Sequence, residues 1–298
     1  MVRLRAVLSG EFVADAFATE EVTLSMEKGI EEELNLDLIR RGLGPSLFAD
    51  NIVYHRVLGS TNTLAKELAL KGAPEGTMVL TEEQTAGRGR RGRSWLAPSK
   101  SNLLFSVLLR PALSPNRVFS LTMVLALASL EAIKEETGLL CMIKWPNDVY
   151  VGSRKLAGIL TEFAAKERQV DWVVLGLGLN VNWCPQEEEE VSRFEATSIF
   201  AETQEKVSRN RLLVQILKRF ESHHERLLSG GGDDLYRKWN DASLVLGKEV
   251  VIDSQERRTR GKAIRIDQNG ALILEDERGK LHVITHGDVS LRLFSSTS

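Results

Sequence analysis

Apolar positions recur along this chain with two periods, about 3.6 and about 2 residues, and the switches between them predict where helix gives way to strand. Residues 1–34 carry the weakest pattern. Arg5 to Phe17 could form a helix, while Glu20 to Leu34 is acidic and only faintly periodic. Leu36, Ile39 and Leu43 predict a short helix that Gly44-Pro45 stops. Ile52 to Leu58 reads as a strand, Gly59-Ser60 as a turn, and Thr63 to Lys71 as a helix with Leu64 and Leu68 on one face. Thr77 to Leu80 is a strand. Leu103 to Leu109 is an apolar run of strand length, broken only by Ser106. Pro115 to Glu136 predicts a longer helix, with Val118, Leu121, Leu125, Ala128 and Ala132 along one side.

Strand-like runs with short connectors follow: Cys141 to Trp145, Val149 to Val151, Leu156 to Phe163 and Val170 to Leu179. Gly152-Ser153 and Lys166 to Arg168 are the turn signals between them. Strands joined so tightly must be antiparallel, because parallel neighbours need a long crossover. The fold class expected is therefore α+β, a mixed and largely antiparallel sheet flanked by helices. Leu212 to Leu228 is an amphipathic helix ended by Gly230-Gly231-Gly232. From Gly247 to Phe294, short strands with turns at Asn269-Gly270, Arg278-Gly279 and His286-Gly287 predict a small antiparallel barrel.

Composition narrows the class without naming a function. The 39 Lys+Arg nearly balance 41 Asp+Glu, a net charge of −2, so the chain as a whole has no pull toward nucleic acid or an anionic membrane. No segment approaches the ~20 apolar residues of a membrane span. Cys141 and Cys184 are the only cysteines and form neither a metal motif nor a disulfide framework. A reducing cytoplasm is the expected location. Arg3 and Arg5 precede a weakly apolar stretch that Glu11 and Asp15 interrupt, which is not a secretory signal.

Against that neutral background one segment stands out. Gly87 to Trp95 reads Gly-Arg-Gly-Arg-Arg-Gly-Arg-Ser-Trp, a poor helix and a poor strand. It should be a mobile cationic loop whose arginines present planar forks to phosphate or carboxylate. Two readings fit, an anionic small-molecule site and a nucleic-acid patch. The neighbours are individually ambiguous as well. Ser60-Thr61-Asn62 stands between a strand and a helix and could simply cap the helix. Gln84 could be a surface residue, and Lys144-Trp145-Pro146-Asn147-Asp148 could be turn chemistry alone. Lys155-Leu156-Ala157-Gly158 places a cation at a strand start, and Asn180 closes Gly176-Leu177-Gly178-Leu179-Asn180.

Together and in this order, these motifs resemble those of biotin protein ligases, the bacterial family whose longer members double as repressors. The likeness spans roughly residues 50 to 185, and the C-terminal barrel more weakly. It implies a fold like that of class II synthetases. Residues 50–243 would form the biotin- and ATP-binding domain and 244–298 an SH3-like barrel, with 1–49 an N-terminal extension. It also implies two steps: biotin and MgATP give biotinyl-5′-AMP, and a lysine of a biotin carboxyl carrier protein then takes the biotinyl group. By the same likeness, Ser60, Thr61, Asn62 and Gln84 would bind the biotin head, and Arg88, Gly89 and Arg90 would close over biotin and the adenylate phosphate. Lys155 would meet the biotin carboxylate and phosphoryl oxygens, acting with Arg90 in catalysis. Arg91, Arg93, Trp95, Lys144, Asn147 and Asn180 would serve ATP and the adenylate. Asp148 would organise the ribose side or a Mg2+ ion. A carrier of acetyl-CoA carboxylase or a related carboxylase is the implied protein partner, and pairing of sheet edges leaves a homodimer open.

The likeness weakens at the N-terminus. Bifunctional relatives carry a winged-helix DNA-binding domain there, but only about fifty residues precede the first catalytic strand. Glu27, Glu31, Glu32 and Glu33 are acidic where a DNA-contacting surface should be basic. No DNA binding and no membrane partner are expected. A lipoate-type ligase and a nucleic-acid-binding module are the rival functions. The five histidines all lie outside the matched motifs, and none is assigned a catalytic role.

Overall fold

The computed structural model describes residues 33–185, 195–254 and 258–291. The expected helix at Arg5 to Phe17 lies outside them. The described chain runs α1 (Leu36–Leu43), β1 (Ile52–Leu58), α2 (Thr61–Leu70), β2 (Met78–Gln84), β3 (Asn102–Leu109) and α3 (Phe119–Thr137). Then come β4 (Met142–Lys144), β5 (Asp148–Val151), β6 (Arg154–Lys166), β7 (Gln169–Asn180), α4 (Ile199–Thr203), α5 (Arg209–Leu228) and α6 (Gly232–Asp241). The C-terminal strands are β8 (Glu249–Asp253), β9 (Arg258–Ile266), β10 (Leu272–Glu275), β11 (Leu281–Ile284) and β12 (Asp288–Leu291).

The first seven strands make one sheet in the order β1-β2-β3-β7-β6-β5-β4. Only β1 and β2 are parallel, joined through α2 as a crossover; every other pair is antiparallel. This is the mixed, largely antiparallel sheet that the short connectors predict. The last five strands form a second antiparallel sheet, β11-β10-β9-β8-β12, with a turn at each predicted glycine pair. Its ends, β11 and β12, do not pair, so this small barrel is open.

Two elements depart from the pattern-based expectation. The triple glycine ends α5 but not the helical region. Gly231 N–H bonds back to Arg226 O, and α6 then starts at Gly232, because Leu235 and Trp239 bury completely. β2 runs on to Gln84, beyond its apolar run, because its backbone pairs with β1 as far as Leu58–Gln84.

Strand β7 shows how the sheet positions a site. Val173, Leu175, Leu177 and Leu179 face the main core with α3 and α5. On the opposite face, Trp172 and Val174 pack under α2 against Ala65, Ala69, Val79 and Leu108. Gly176, Gly178 and Asn180 then continue that second face past the N-terminus of α2. Alternation assigns these residues to one side, and the lack of side chains at Gly176 and Gly178 leaves room on the sheet for Asn62 and Trp95 to lie against it.

The C-terminal sheet docks through its β9–β10 turn. Trp145, fully buried, donates its indole N–H to Gly270 O at 2.8 Å, and Tyr236 Oη donates to Gln268 O at 2.6 Å. Any β-carbon on Gly270 would fall 2.0 Å from the Phe119 ring. Phe119 in turn meets Trp239 edge-on, with ring centroids 5.4 Å apart. A buried ion pair, Arg209 Nη1 to Glu82 Oε2 at 2.6 Å, ties α5 to β2. Removing one partner of such a pair costs about 3–5 kcal/mol, since the other charge stays buried.

Candidate active site

Gly158 of β6 and Gly178 of β7 are directly opposed across the sheet, and together they make a flat floor. The Trp95 indole lies on it. A β-carbon at Gly178 would come within 2.5 Å of that ring, and one at Gly158 within 3.1 Å. Glycine is required at Gly178, where a real β-carbon does not approach another atom that closely; at Gly158 the Trp95 ring and the Lys155 side chain would have to give by a few tenths of an ångström. The Lys155 ammonium stands 5.4 Å over the same ring, a cation–π distance, and 2.8 Å from Asp148 Oδ1. Asn180 lies at the strand's end with its amide nitrogen on Thr197 O at 2.9 Å. Its buried Oδ1 and the Trp95 Nε1 have no hydrogen-bond partner among the described residues. Buried polar atoms are normally satisfied, so both mark places where a polar ligand atom fits.

The cationic segment folds as a small hairpin over this floor. Gly89 N–H donates to Arg93 O at 2.7 Å, Trp95 N–H donates to Gly87 O at 3.0 Å, and Arg91 takes the left-handed conformation at the tip. Its four arginines divide in two directions. Arg88 pairs with Glu162 of β6 at 3.2 Å, and Arg90 donates to Asn147 Oδ1 at 3.0 Å. Burial lowers the pKa of the Arg90 guanidinium, which the charges of Asp288 and Asp148 partly offset. Arg91 and Arg93 instead both bind Asp288 of β12, Arg91 also reaching Asp253 O at 3.2 Å. Lys144 lies 4.9 Å from the Tyr150 ring centroid, its pKa lowered by burial.

The first turn of α2 forms the third side. Ser60 sits at the N-cap in extended backbone, but its hydroxyl caps nothing. Thr61 N–H donates to Gln84 Oε1 at 2.8 Å. Asn62 is fully engaged, its amide nitrogen on Leu160 O and Glu162 Oε2 at 3.1 Å each and its Oδ1 accepting from Ser106 at 2.7 Å. That Oδ1 sits where the β-carbon of residue 176 would be, 1.8 Å from it, so Gly176 leaves the space that Asn62 fills. Glu162 also holds Lys66 at 2.8 Å. Burial would raise its carboxyl, but hydrogen bonds from Lys66 and Asn62, with the Arg88 charge, win and hold it below the usual range.

This geometry agrees with the comparisons. A model of the biotin/lipoate A/B protein ligase family matches residues 54–180, and one of the biotin protein ligase C-terminal domain matches residues 245–292. The bifunctional ligase/repressor BirA of Bacillus subtilis is 35% identical over 253 residues, covering 85% of this chain and 78% of that one. The chain belongs to the biotin protein ligase family. The biotin–[acetyl-CoA-carboxylase] ligase of Mycobacterium tuberculosis is 34% identical over 243 residues, 78% of this chain and 85% of that protein. Among solved structures, the biotin protein ligase from Aquifex aeolicus in complex with biotin and ATP superposes with a TM-score of 0.69 at 30% identity. That match covers 82% of this chain and 99% of the other.

The fold thus gathers Lys155, Asp148, Trp95, Asn180, Arg88 and Arg90 at one sheet face, with Thr61 and Gln84 at its α2 end. Arg91 and Arg93, which the likeness assigns to the nucleotide, turn toward the C-terminal sheet instead. Asp148 is occupied by Lys155. Among the described residues no group of three His, Cys, Asp or Glu is placed to hold a metal. Three residues escape motif reading: Ser106, Glu162 and Asp288. The first had a signal, the one polar break in an apolar strand. The other two are ordinary acids in sequence, and only folding brings them to the arginines. Of the histidines, His223 pairs with Glu131 and His282 with Asp276, both away from this face.

Proposed function

We propose that this chain is an ATP-dependent biotin protein ligase that joins biotin to the AMP part of ATP with release of pyrophosphate, then passes the biotinyl group to a lysine of a carboxylase's biotin carrier with release of AMP. The observation that carries the reading is the convergence of Lys155, Arg88 and Arg90 over the glycine floor beneath Trp95. Bringing a carboxylate onto an α-phosphate forces two anions together, and fixed cations offset their repulsion best in a partly water-excluded site. The carboxylate is already ionised near neutral pH and needs no base to attack. Lys155, released from Asp148, would meet the carboxylate and phosphoryl oxygens, with Arg88 and Arg90 closing from the hairpin. Ser60, Thr61 and Gln84 would take the polar head of biotin. Asn62 would shape that pocket from behind, since its amide is committed to the protein.

Trp95 and the unpartnered Asn180 Oδ1 support an adenylate site at the other end, with Lys144, Asn147 and Asp148 along its rim. Enclosure there would protect the mixed anhydride from water until the acceptor lysine arrives. Magnesium would enter with ATP as MgATP, consistent with its habit of binding substrate phosphates and few protein groups. The donors around Asp148 do not fit a metal held by protein alone, because a lysine ammonium occupies that carboxylate. In this reading Arg91 and Arg93 act indirectly, holding the hairpin to the C-terminal sheet.

The division at residues 49 and 243, a cytoplasmic location, a homodimer through a sheet edge and the lack of DNA binding belong to the same reading. The acidic run from Glu27 to Glu33 supports the last of these. No described helix is long and apolar enough to cross a membrane.

The test is direct. Purified protein incubated with biotin, MgATP and a biotin carrier domain should add one biotinyl mass to the carrier. Omission of ATP or substitution of the carrier lysine should abolish the gain. Consumption of lipoate but not biotin would overturn the assignment.

A further inference from the structure

Ser106 belongs to no motif of the family likeness, yet it lies beneath the α2 end of the site. It is completely buried on β3. Its Oγ is 2.7 Å from Asn62 Oδ1 and 2.8 Å from Thr61 Oγ1. A hydroxyl has one proton to give, and the surroundings of Asn62 decide where it goes. The Asn62 amide nitrogen faces Leu160 O and the Glu162 carboxylate, which can only accept. Asn62 Oδ1 must then face Ser106, and Ser106 must donate to it.

Thr61 therefore cannot receive that proton. Its own hydroxyl hydrogen turns inward, to Ser106 Oγ at 2.8 Å or to Gln84 Oε1 at 3.2 Å. Gln84 is locked in turn, because Thr61 N–H donates to its Oε1. Gln84 Nε2 is left beside Gly87, where a β-carbon would stand 3.3 Å away, and it has no partner among the described residues. Of these two residues, what remains for a ligand is one acceptor, Thr61 Oγ1, and one donor, Gln84 Nε2, while the Ser60 hydroxyl, which caps nothing, can turn to give or to accept.

We propose that Ser106 is a positioning residue that fixes this polarity, so that the pocket selects a head group presenting an N–H donor beside a carbonyl acceptor. The inference rests on the reading of Thr61 and Gln84 as the biotin-head site. A cyclic urea satisfies both positions. A cyclic carbamate, with ring oxygen in place of N–H, sets lone pairs against the Thr61 lone pairs. A site with buried polar groups discriminates strongly against a ligand that leaves them unpaired.

The experiment is biotin-dependent pyrophosphate exchange by wild type, Ser106→Ala and Ser106→Cys, using biotin and its cyclic carbamate analogues. Thermal unfolding establishes that each variant is folded. Both variants should raise KM for biotin roughly tenfold, the scale of one hydrogen bond to a ligand, with kcat within about twofold. Both should also shrink the preference for biotin over carbamate by a similar factor, because the freed Thr61 hydroxyl can then turn outward and donate. Cysteine fills nearly the same volume with a weak donor, so it separates hydrogen bonding from packing. Recovery of wild-type KM and preference in Ser106→Cys would overturn the proposal, as would an unchanged preference in Ser106→Ala. Absence of exchange in wild type would instead sink the ligase reading, and this proposal with it.

Discussion

The two halves of the cationic hairpin share a composition but are held in opposite ways. Arg88 and Arg90, on the inner side, bind Glu162 and Asn147, groups carried by the same sheet that carries Lys155. Arg91 and Arg93, on the outer side, bind Asp288 of the C-terminal sheet. Four equivalent charges in sequence thus become two held by the seven-stranded sheet and its β4–β5 turn and two tied to the C-terminal sheet. A charge count along the chain cannot separate these roles, because the separation is made by what folding brings opposite each guanidinium.

The contrast is sharpest under substitution. Lys155→Gln removes the cation nearest the floor and should cut the rate of adenylate formation by roughly 10²–10³-fold, the usual scale for losing a preorganised charge-stabilising group. Single-turnover kinetics reads it; a loss under about threefold would place the chemistry elsewhere. Arg90→Gly opens the inner side without touching the sheet. It should leave folding intact but let adenylate escape, so that added proteins are labelled indiscriminately. Retention of adenylate like that of wild type in a release assay would refute the inner role.

Asp288→Asn tests the outer side. Its pairs with Arg91 and Arg93 are part-exposed and so weak. The expected effect is a roughly threefold rise in KM for ATP with the single-turnover chemical step unchanged. A drop in that step would erase the distinction between the two halves.

The smallest effect is one of pH. The Glu162 carboxyl titrates lower in the folded chain than its ordinary value of 4.5. Its contribution to stability is therefore complete above that pH and disappears as pH falls through the depressed folded value. The thermal midpoint of wild type should drop more steeply than that of Glu162→Gln as the solution is acidified below pH 4.5. Parallel curves would show that the inner anchor is not electrostatic.

Much of this molecule was legible in its sequence. The strand runs from Met142 to Asn180 and their turns are explicit, because antiparallel neighbours with short connectors leave few arrangements open. The motif residues Thr61, Gln84, Arg90, Trp95 and Lys155 are likewise explicit and do converge. Helix α6 was hidden behind three glycines, since its stability comes from burying Leu235 and Trp239 and not from local propensity. Glu162 and Asp288 were hidden for a related reason: a carboxylate acquires meaning only from the cation placed against it. Ser106 stood in plain view as an interruption, but an interrupted apolar strand does not say what the hydroxyl will touch.

The bare stripe down β7 has a consequence for anyone wishing to retool this protein. Gly176 and Gly178 have nothing left to trim, so the floor under Asn62 and Trp95 cannot be lowered by the customary exchange of large residues for small. Room above that floor has to come from the covering side, by shortening Trp95 or lengthening the turn around Arg91, and such changes also loosen the hairpin that holds Trp95 in place.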